Sequence, residues 1–131
     1  MTLPDCSPGI DLVENARIAT AMERAGAAFL RRTFTDEEVA YCQGHRNPVP
    51  HFAARFAAKE AVAKAFTTGI GEAAAFREIE VVHRVGGAPA IRLHGTAAAT
   101  AEAQGVISVE LSLTHTDAYA AAMVILRRRP A

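Results

Sequence analysis

The sequence is poor in cysteine, in net charge and in long apolar runs, and each shortage excludes a class of protein. Its two cysteines, Cys6 and Cys42, lack C-x-x-C spacing and a neighbouring histidine cluster, so neither a disulfide framework nor a structural zinc site is indicated. Fourteen basic residues balance fourteen acidic ones, so the overall charge does not indicate a nucleic-acid-binding protein. An anionic partner must therefore be met by a local basic cluster.

No targeting or membrane-spanning segment is visible. No apolar stretch reaches the roughly 18 residues of a membrane span, and the N-terminus lacks the basic start and apolar run of a signal peptide. We therefore expect a cytoplasmic protein that does not enter a membrane. A chain of 131 residues without internal repeats predicts one domain over 1–131.

The first half of the chain predicts one short strand and three helices. "GIDLV" at 9–13 is typical of a brief strand, with Asp11 set among apolar residues. Apolar residues at helical spacing predict a helix from Glu14 to about Arg24. "TDEE" at 35–38 is typical of a capping box before a short helix, and 51–66 is the strongest helix prediction.

The second half predicts a hairpin, a helix and two further strands. "EIEVVHRV" and "AIRLHG" flank the turn "GGAP", and "TAAATAEAQG" predicts a helix that Gly105 closes. "VISVELSLTH" and "YAAAMVILR" alternate well enough for strands around "THTDA". The predicted fold class is α+β, with an antiparallel sheet packed against a long central helix.

The central helix carries charges within an otherwise apolar segment. Five of its apolar residues form one stripe on a helical wheel: Phe52, Phe56, Val62, Ala63 and Phe66. Glu60 and Lys64 lie on a neighbouring face with Ala53 and Ala57, whose small side chains would let a backbone or a ligand come close. The simplest interpretation is an i,i+4 ion pair on a solvated face, worth roughly 0.2–0.5 kcal/mol.

Three ordered segments change that interpretation. "GIDLVENARI", "RFAAKEAVAKAF" with "TTGIG", and "SLTHTDAYAAA" together resemble the holo-acyl-carrier-protein synthases, which are small 4′-phosphopantetheinyl transferases. The resemblance covers nearly the whole chain. It implies transfer of the phosphopantetheine arm of coenzyme A to a serine of an apo acyl carrier protein, leaving adenosine 3′,5′-bisphosphate.

The resemblance also implies a metal and a catalytic group. Asp11 and Glu60 match the metal-binding positions of the family, and Mg²⁺, or alternatively Mn²⁺, suits a few carboxylates combined with phosphate oxygens and waters. Lys64 matches the lysine of the K-E-A-x-x-K pattern and would stabilise phosphate charge. Glu60, a metal-bound water and His115 stay open as proton acceptors.

Further residues match the coenzyme site of the family. They are Arg46, Arg55, Lys64, Gly69 and His115, with His45 as a weaker candidate. Other interpretations exist for several of them. Arg55 and Lys59 could each be a packed stem with a solvated head, "TTGIG" could be a helix end and turn, and His115 could be an ordinary turn histidine. Thr67 stands where many family members have glycine.

The carrier protein and the assembly follow from the resemblance as well. Arg17 and Arg24 are the candidates for a basic strip that meets the acidic recognition helix of a carrier protein. Family members of this length are trimers with the coenzyme cleft between protomers. The alanine faces at Ala53, Ala57 and Ala61 could therefore belong to an interface or to the core. Pro8 predicts that the first strand is shortened or lies at a sheet edge.

Two alternatives to the transferase are a hotdog-type acyl-CoA thioesterase and a non-catalytic protein that binds coenzyme A or the carrier. A thioesterase would not require Asp11 and Glu60 together and would act without added magnesium. A carrier of either fatty-acid or polyketide synthesis would fit.

Overall fold

A computed structural model describes residues 2–130 of the chain. In chain order the elements are β1 (Cys6–Glu14), α1 (Asn15–Thr33), α2 (Asp36–Gln43), α3 (Val49–Ala65), β2 (Ile79–His83), β3 (Pro89–Leu93), α4 (Gly95–Ala103), β4 (Val106–His115) and β5 (Tyr119–Arg128). A single 3₁₀ turn at Phe76–Glu78 precedes β2. The predicted α+β class is confirmed. Within residues 2–130 no helix is long and apolar enough to cross a bilayer.

Two antiparallel sheets surround α3. The larger has the strand order β1-β5-β4, and the smaller is the β2-β3 hairpin. Both predicted strand pairs are present, and β1 is added at the edge of the larger sheet, where Asp11 lies opposite Ala122. Alternate residues of β5 face α3 and are buried, in the order Ala120, Ala122, Val124 and Leu126. The core therefore lies between this sheet and α3.

The central helix is buried on almost all sides. The predicted apolar stripe is buried, and the alanine face is buried as well, with Ala53, Ala57 and Ala61 fully inaccessible. The small side chains admit the backbone of β1, because a Cβ on Gly9 would overlap the carbonyl oxygen of Ala61. The alanine face thus belongs to the core of the chain, and the accessible groove expected beside Ala53 and Ala57 is absent from the described residues.

The first strand and helix differ from the prediction. β1 spans nine residues and includes Glu14, so the helix begins at Asn15 and the strand is not shortened; its edge position, which tolerates Pro8, is as expected. The helix also continues beyond Arg24 to Thr33, with a kink at Gly26, where φ is 50° and ψ is −124°. Tertiary packing accounts for the extension, because Phe29 beyond the kink packs into the core.

A buried ion pair ties α2 and α3 to β2. The predicted capping box is present, since Glu38 N donates to Thr35 Oγ1 and Thr35 N donates to Glu38 Oε1. Lys59 Nζ lies 2.7 Å from Glu38 Oε1, and both side chains are fully buried. Lys59 also donates to the carbonyl oxygens of Phe76 and Ile79. The expectation of a solvated head for Lys59 is therefore wrong.

Candidate active site

Asp11 and Glu60 come close together on two facing elements. Asp11 occupies an inward position of β1 and is partly accessible because that strand forms the sheet edge. Glu60 projects from α3, and its pKa is raised above the ordinary 4.5, first by burial and then by the negative charge of Asp11. Lys64 and Arg17 act in the opposite direction. The two predicted metal ligands thus form one carboxylate pair.

Lys64 bonds across to the strand. Its Nζ lies 3.0 Å from Asp11 Oδ1 and 3.0 Å from the carbonyl oxygen of Ile10. The interpretation as a Glu60–Lys64 ion pair within one helix is therefore wrong, because the ion pair that forms is Lys64–Asp11. The Lys64 side chain remains 52 % exposed, so its ammonium group can also reach a ligand.

The carboxylate pair has the donor chemistry of a hard divalent cation. Within residues 2–130 no group of three or more histidine, cysteine, aspartate and glutamate side chains could hold a metal. Two carboxylates are nevertheless sufficient for Mg²⁺, which usually keeps several waters and takes substrate phosphate oxygens as further ligands. A cation between Asp11 and Glu60 would offset the repulsion that raises the Glu60 pKa. The residues present therefore fit such an ion.

Arg17 lies at the rim of this pair. Its guanidinium carbon is 5.5 Å from the centroid of the Phe56 ring, and Phe56 precedes Glu60 by one turn of α3. Arg24 is seven residues further along α1 and is exposed like Arg17. Two turns of a helix bring such residues back to one face, so Arg17 and Arg24 are exposed on the same side of α1.

Arg55 belongs to a second group at the start of α3. Its side chain donates to the carbonyl oxygen of His51 and lies 3.3 Å from His83 Nε2, while its guanidinium carbon is 4.4 Å from the Tyr41 ring centroid. Arg55 is only 4 % exposed, so the expected solvated head is not observed. Its proposed contact with the coenzyme stays a prediction.

His115 joins this second group through His51. The two rings are 5.2 Å apart at their centroids, and His51 stacks on His45 at 3.6 Å. Burial, followed by the charges of His45 and His115, lowers the pKa of His51, so its imidazole is neutral at pH 7. Sequence reasoning gave His51 no role, because the spacing of His51, His83 and His94 forms no metal-binding pattern. Arg46 is exposed in the loop next to His45.

The "TTGIG" segment terminates α3. Thr67 N donates to Lys64 O at 2.8 Å, and Gly69 N donates to Ala63 O at 3.1 Å. Thr67 and Gly69 both have positive φ, of 66° and 68°. The geometry matches a helix end followed by a turn, and a Cβ on Gly69 would meet open space. A backbone approach to the nucleotide at Gly69 stays a prediction.

Known proteins match the chain over nearly its whole length. The family model for the 4′-phosphopantetheinyl transferase superfamily matches residues 7–124. A holo-[acyl-carrier-protein] synthase of Koribacter versatilis is 47% identical over 118 residues, covering 90% of this chain and 94% of the relative. The chain belongs to the 4′-phosphopantetheinyl transferase superfamily and, within it, to the holo-[acyl-carrier-protein] synthase family.

Solved structures agree with this assignment. The holo-[acyl-carrier-protein] synthase of Neisseria meningitidis superposes with a TM-score of 0.87 at 35% identity, covering 93% of this chain and 98% of that one. The Helicobacter pylori enzyme, solved in complex with coenzyme A, gives 0.81 at 30% identity, covering 91% and 98%. The resemblance inferred from the sequence motifs is confirmed, and the hotdog-type thioesterase loses its support.

Proposed function

We propose that this chain transfers the 4′-phosphopantetheine arm of coenzyme A to a serine hydroxyl of an apo acyl carrier protein. The products would be the holo carrier protein and adenosine 3′,5′-bisphosphate. The observation that carries the proposal is the juxtaposition of Asp11, Glu60 and Lys64 at one accessible edge of the molecule. The family relationship supports the same reaction.

The reaction is a displacement at phosphorus. The serine oxygen would form a bond to the β-phosphorus of coenzyme A, and the bond from that phosphorus to the oxygen bridging to the nucleotide would break. The bisphosphate leaves with the electron pair, and the serine hydroxyl loses its proton. Because the reacting pyrophosphate is anionic, positive charge must lie close to both the phosphoryl group that is attacked and the bisphosphate that leaves.

The chain would supply this charge in two ways. Asp11 and Glu60 would hold Mg²⁺, with Mn²⁺ as a substitute, and the ion would neutralise phosphate charge when bound. Lys64 contributes a fixed ammonium group one helical turn from Glu60, and its exposed side chain can reach a phosphate. Glu60, or a water bound at the carboxylate pair, would accept the serine proton.

The coenzyme would lie between the carboxylate pair and the histidine group. In this arrangement the phosphates or the pantetheine contact Arg46, His115 and the turn at Gly69. Arg55 would contribute positive charge from the buried side of the histidine group, because its guanidinium contacts the carbonyl oxygen of His51 and Nε2 of His83. Arg46 and the turn at Gly69 flank opposite ends of α3, so in a shared cleft these contacts would come from neighbouring protomers.

The carrier protein and a homotrimer complete the proposal. Arg17 and Arg24 would meet the acidic recognition helix of the carrier beside the carboxylates. The outer face of β1 exposes Ile10 and Leu12, at 67% and 65%, next to Met123 of β5. An apolar face of this kind marks an interaction surface, which supports contact between cytoplasmic protomers along β1.

The test is a transfer assay with a mass readout. The purified protein is incubated with coenzyme A, Mg²⁺ and a panel of apo acyl carrier proteins from fatty-acid and polyketide synthesis, with and without chelator. A chelator-sensitive phosphopantetheine adduct on a carrier serine is expected, and Glu60→Gln should abolish it. Coenzyme A binding without any adduct would instead favour the non-catalytic binding protein.

A further inference from the structure

Asn15 connects the start of α1 to the turn between β4 and β5. Its side chain is 101 residues or more from that turn in sequence, yet Nδ2 donates to Thr116 O at 2.8 Å and to Asp117 O at 3.1 Å. Its backbone N donates to Ala118 O at 2.9 Å. Asn15 itself is only 5 % exposed. One residue thus holds three successive carbonyl groups of the turn.

Besides Asn15, the turn is held by the strand pairing on either side of it and by Thr116. Thr116 closes it internally, because its Oγ1 accepts from the backbone N of Ala118 and of Tyr119, and its N donates to Tyr119 O. Residues 114 to 119 are all exposed, so core packing does not hold the turn. His115 ends β4, where it pairs with Ala120 of β5, and directly precedes Thr116, so the anchor of the turn acts at the end of the ladder where His115 lies.

The side chain of Asn15 is suited to holding the carbonyl groups of this turn. An amide nitrogen offers two N–H donors, which aspartate, serine and leucine cannot match at this position. The amide oxygen is buried without a partner among the described residues, which costs free energy. The two bonds from Nδ2 to the turn are therefore the interactions that account for a buried asparagine here.

We propose that Asn15 is a positioning residue, which sets the location of His115 relative to Asp11 on β1 and Arg17 on α1. Asp11 lies four residues before Asn15 and Arg17 two residues after it. The proposal rests on the proposed function for the role of His115. Its structural part, that Asn15 anchors His115, has a test that needs no transfer activity.

That test is NMR of the histidine side chains in two variants. Asn15→Asp keeps the shape but removes both donors, and Asn15→Leu removes them without adding charge. The imidazole signals of His115 and His51 should shift in both variants. The signal of His94, which pairs with Glu80 at 2.9 Å elsewhere, should stay. An unchanged His115 signal in both variants would overturn the proposal.

The matched control is Thr100→Val. Thr100 Oγ1 donates to Ala73 O at 2.7 Å, so this variant also loses a side-chain bond to a backbone carbonyl, but away from the turn. It should leave His115 and His51 unchanged. Comparable His115 shifts in Thr100→Val would mean that any local loss of stability moves the histidine, which contradicts a specific anchor.

The second measurement is transfer kinetics with coenzyme A. Each Asn15 variant should lower kcat/KM by roughly fivefold to tenfold, as expected for one or two lost hydrogen bonds. In a His115→Ala background the same substitutions should have little further effect, because the positioned group is gone. Fully additive losses would refute positioning through His115. If the unaltered protein transfers nothing, the proposed function fails, and the NMR result still decides whether Asn15 anchors His115.

Discussion

The Nζ atom of Lys64 lies 3.0 Å from Oδ1 of Asp11, so an ion pair joins the central helix to the edge strand at the candidate metal position. A divalent cation bound to Asp11 would replace Lys64 as the partner of the Asp11 carboxylate. Lys64 would then be free to turn its ammonium group toward a phosphate.

Lys64→Gln should separate catalysis from stability. Because the Lys64 side chain is 52 % exposed, the ion pair contributes no more than about 1 kcal/mol to the free energy of unfolding. Transfer should nevertheless fall by roughly 10²-fold or more, as for the loss of one charge-stabilising donor. Urea unfolding and kcat measure the two effects. Full transfer by Lys64→Gln would remove Lys64 from the mechanism.

Glu60→Gln should change the dependence of stability on pH. The folded-state pKa of Glu60 is raised, so the folded chain binds this proton more tightly than the unfolded chain does. The stability of the unaltered protein therefore falls as pH rises from about 4.5 through the raised pKa. Glu60→Gln has no carboxyl group at this position, so it does not lose stability in this way. The Tm of Glu60→Gln relative to that of the unaltered protein, measured with chelator present, should therefore rise between pH 4.5 and pH 8.

Magnesium provides the control for this prediction. Mg²⁺ at pH 8 should raise the Tm of the unaltered protein, because it binds the ionised pair of the folded state, and should have a smaller effect on Glu60→Gln. Glu72→Gln, which changes an exposed glutamate of the loop after α3, should behave like the unaltered protein. An equal response of all three proteins to Mg²⁺ would argue against a site at Glu60.

The buried pair of Lys59 and Glu38 should be costly to break from one side. Lys59→Met leaves the Glu38 carboxylate buried without its cation, and a destabilisation of about 3–5 kcal/mol is expected. The double variant Lys59→Met with Glu38→Gln should lose clearly less than the sum of the single changes. Chemical unfolding of the four proteins measures this cycle. Additive losses would show that the pair is not coupled.

Gly9→Ala should prevent normal packing of β1 on α3. The added Cβ would overlap the backbone carbonyl oxygen of Ala61, and neither backbone can move without shifting an element. Destabilisation of several kcal/mol or loss of soluble protein is expected. Gly71→Ala is the matched control, because a Cβ there meets nothing within 4 Å. Equal melting temperatures for both variants would contradict the close approach.

Thr67→Gly should stabilise the protein. A β-branched residue at φ 66° is strained, and glycine adopts this conformation without the penalty. The expected gain is about 1 kcal/mol after allowing for the greater freedom of glycine in the unfolded chain. Thr68→Gly, at a neighbouring position without positive φ, should be neutral or destabilising in the same unfolding measurement. A loss of stability in Thr67→Gly would show that its side chain makes a compensating contact.

Local patterns account for most of what could be predicted. The capping box at Thr35, the helix that begins near Pro50 and the strand pairs all depend on residues within a few positions of one another. Prediction was wrong where distant residues decide the outcome. The apolar periodicity predicted a helix only to about Arg24, yet the helix continues to Thr33 because Phe29 packs into the core.

The candidate site shows the same difference between what local patterns predict and what tertiary packing decides. Motif order along the chain selected Asp11, Glu60 and Lys64 as candidates, and periodicity predicted the helix and strand that carry them. Only the tertiary structure decided that Lys64 bonds to Asp11, that Lys59 is buried against Glu38, and that Asn15 holds the turn after His115. The physical reason is that spacing along a chain specifies local periodicity. Which charges and amides find each other depends on how the sheet packs across the central helix.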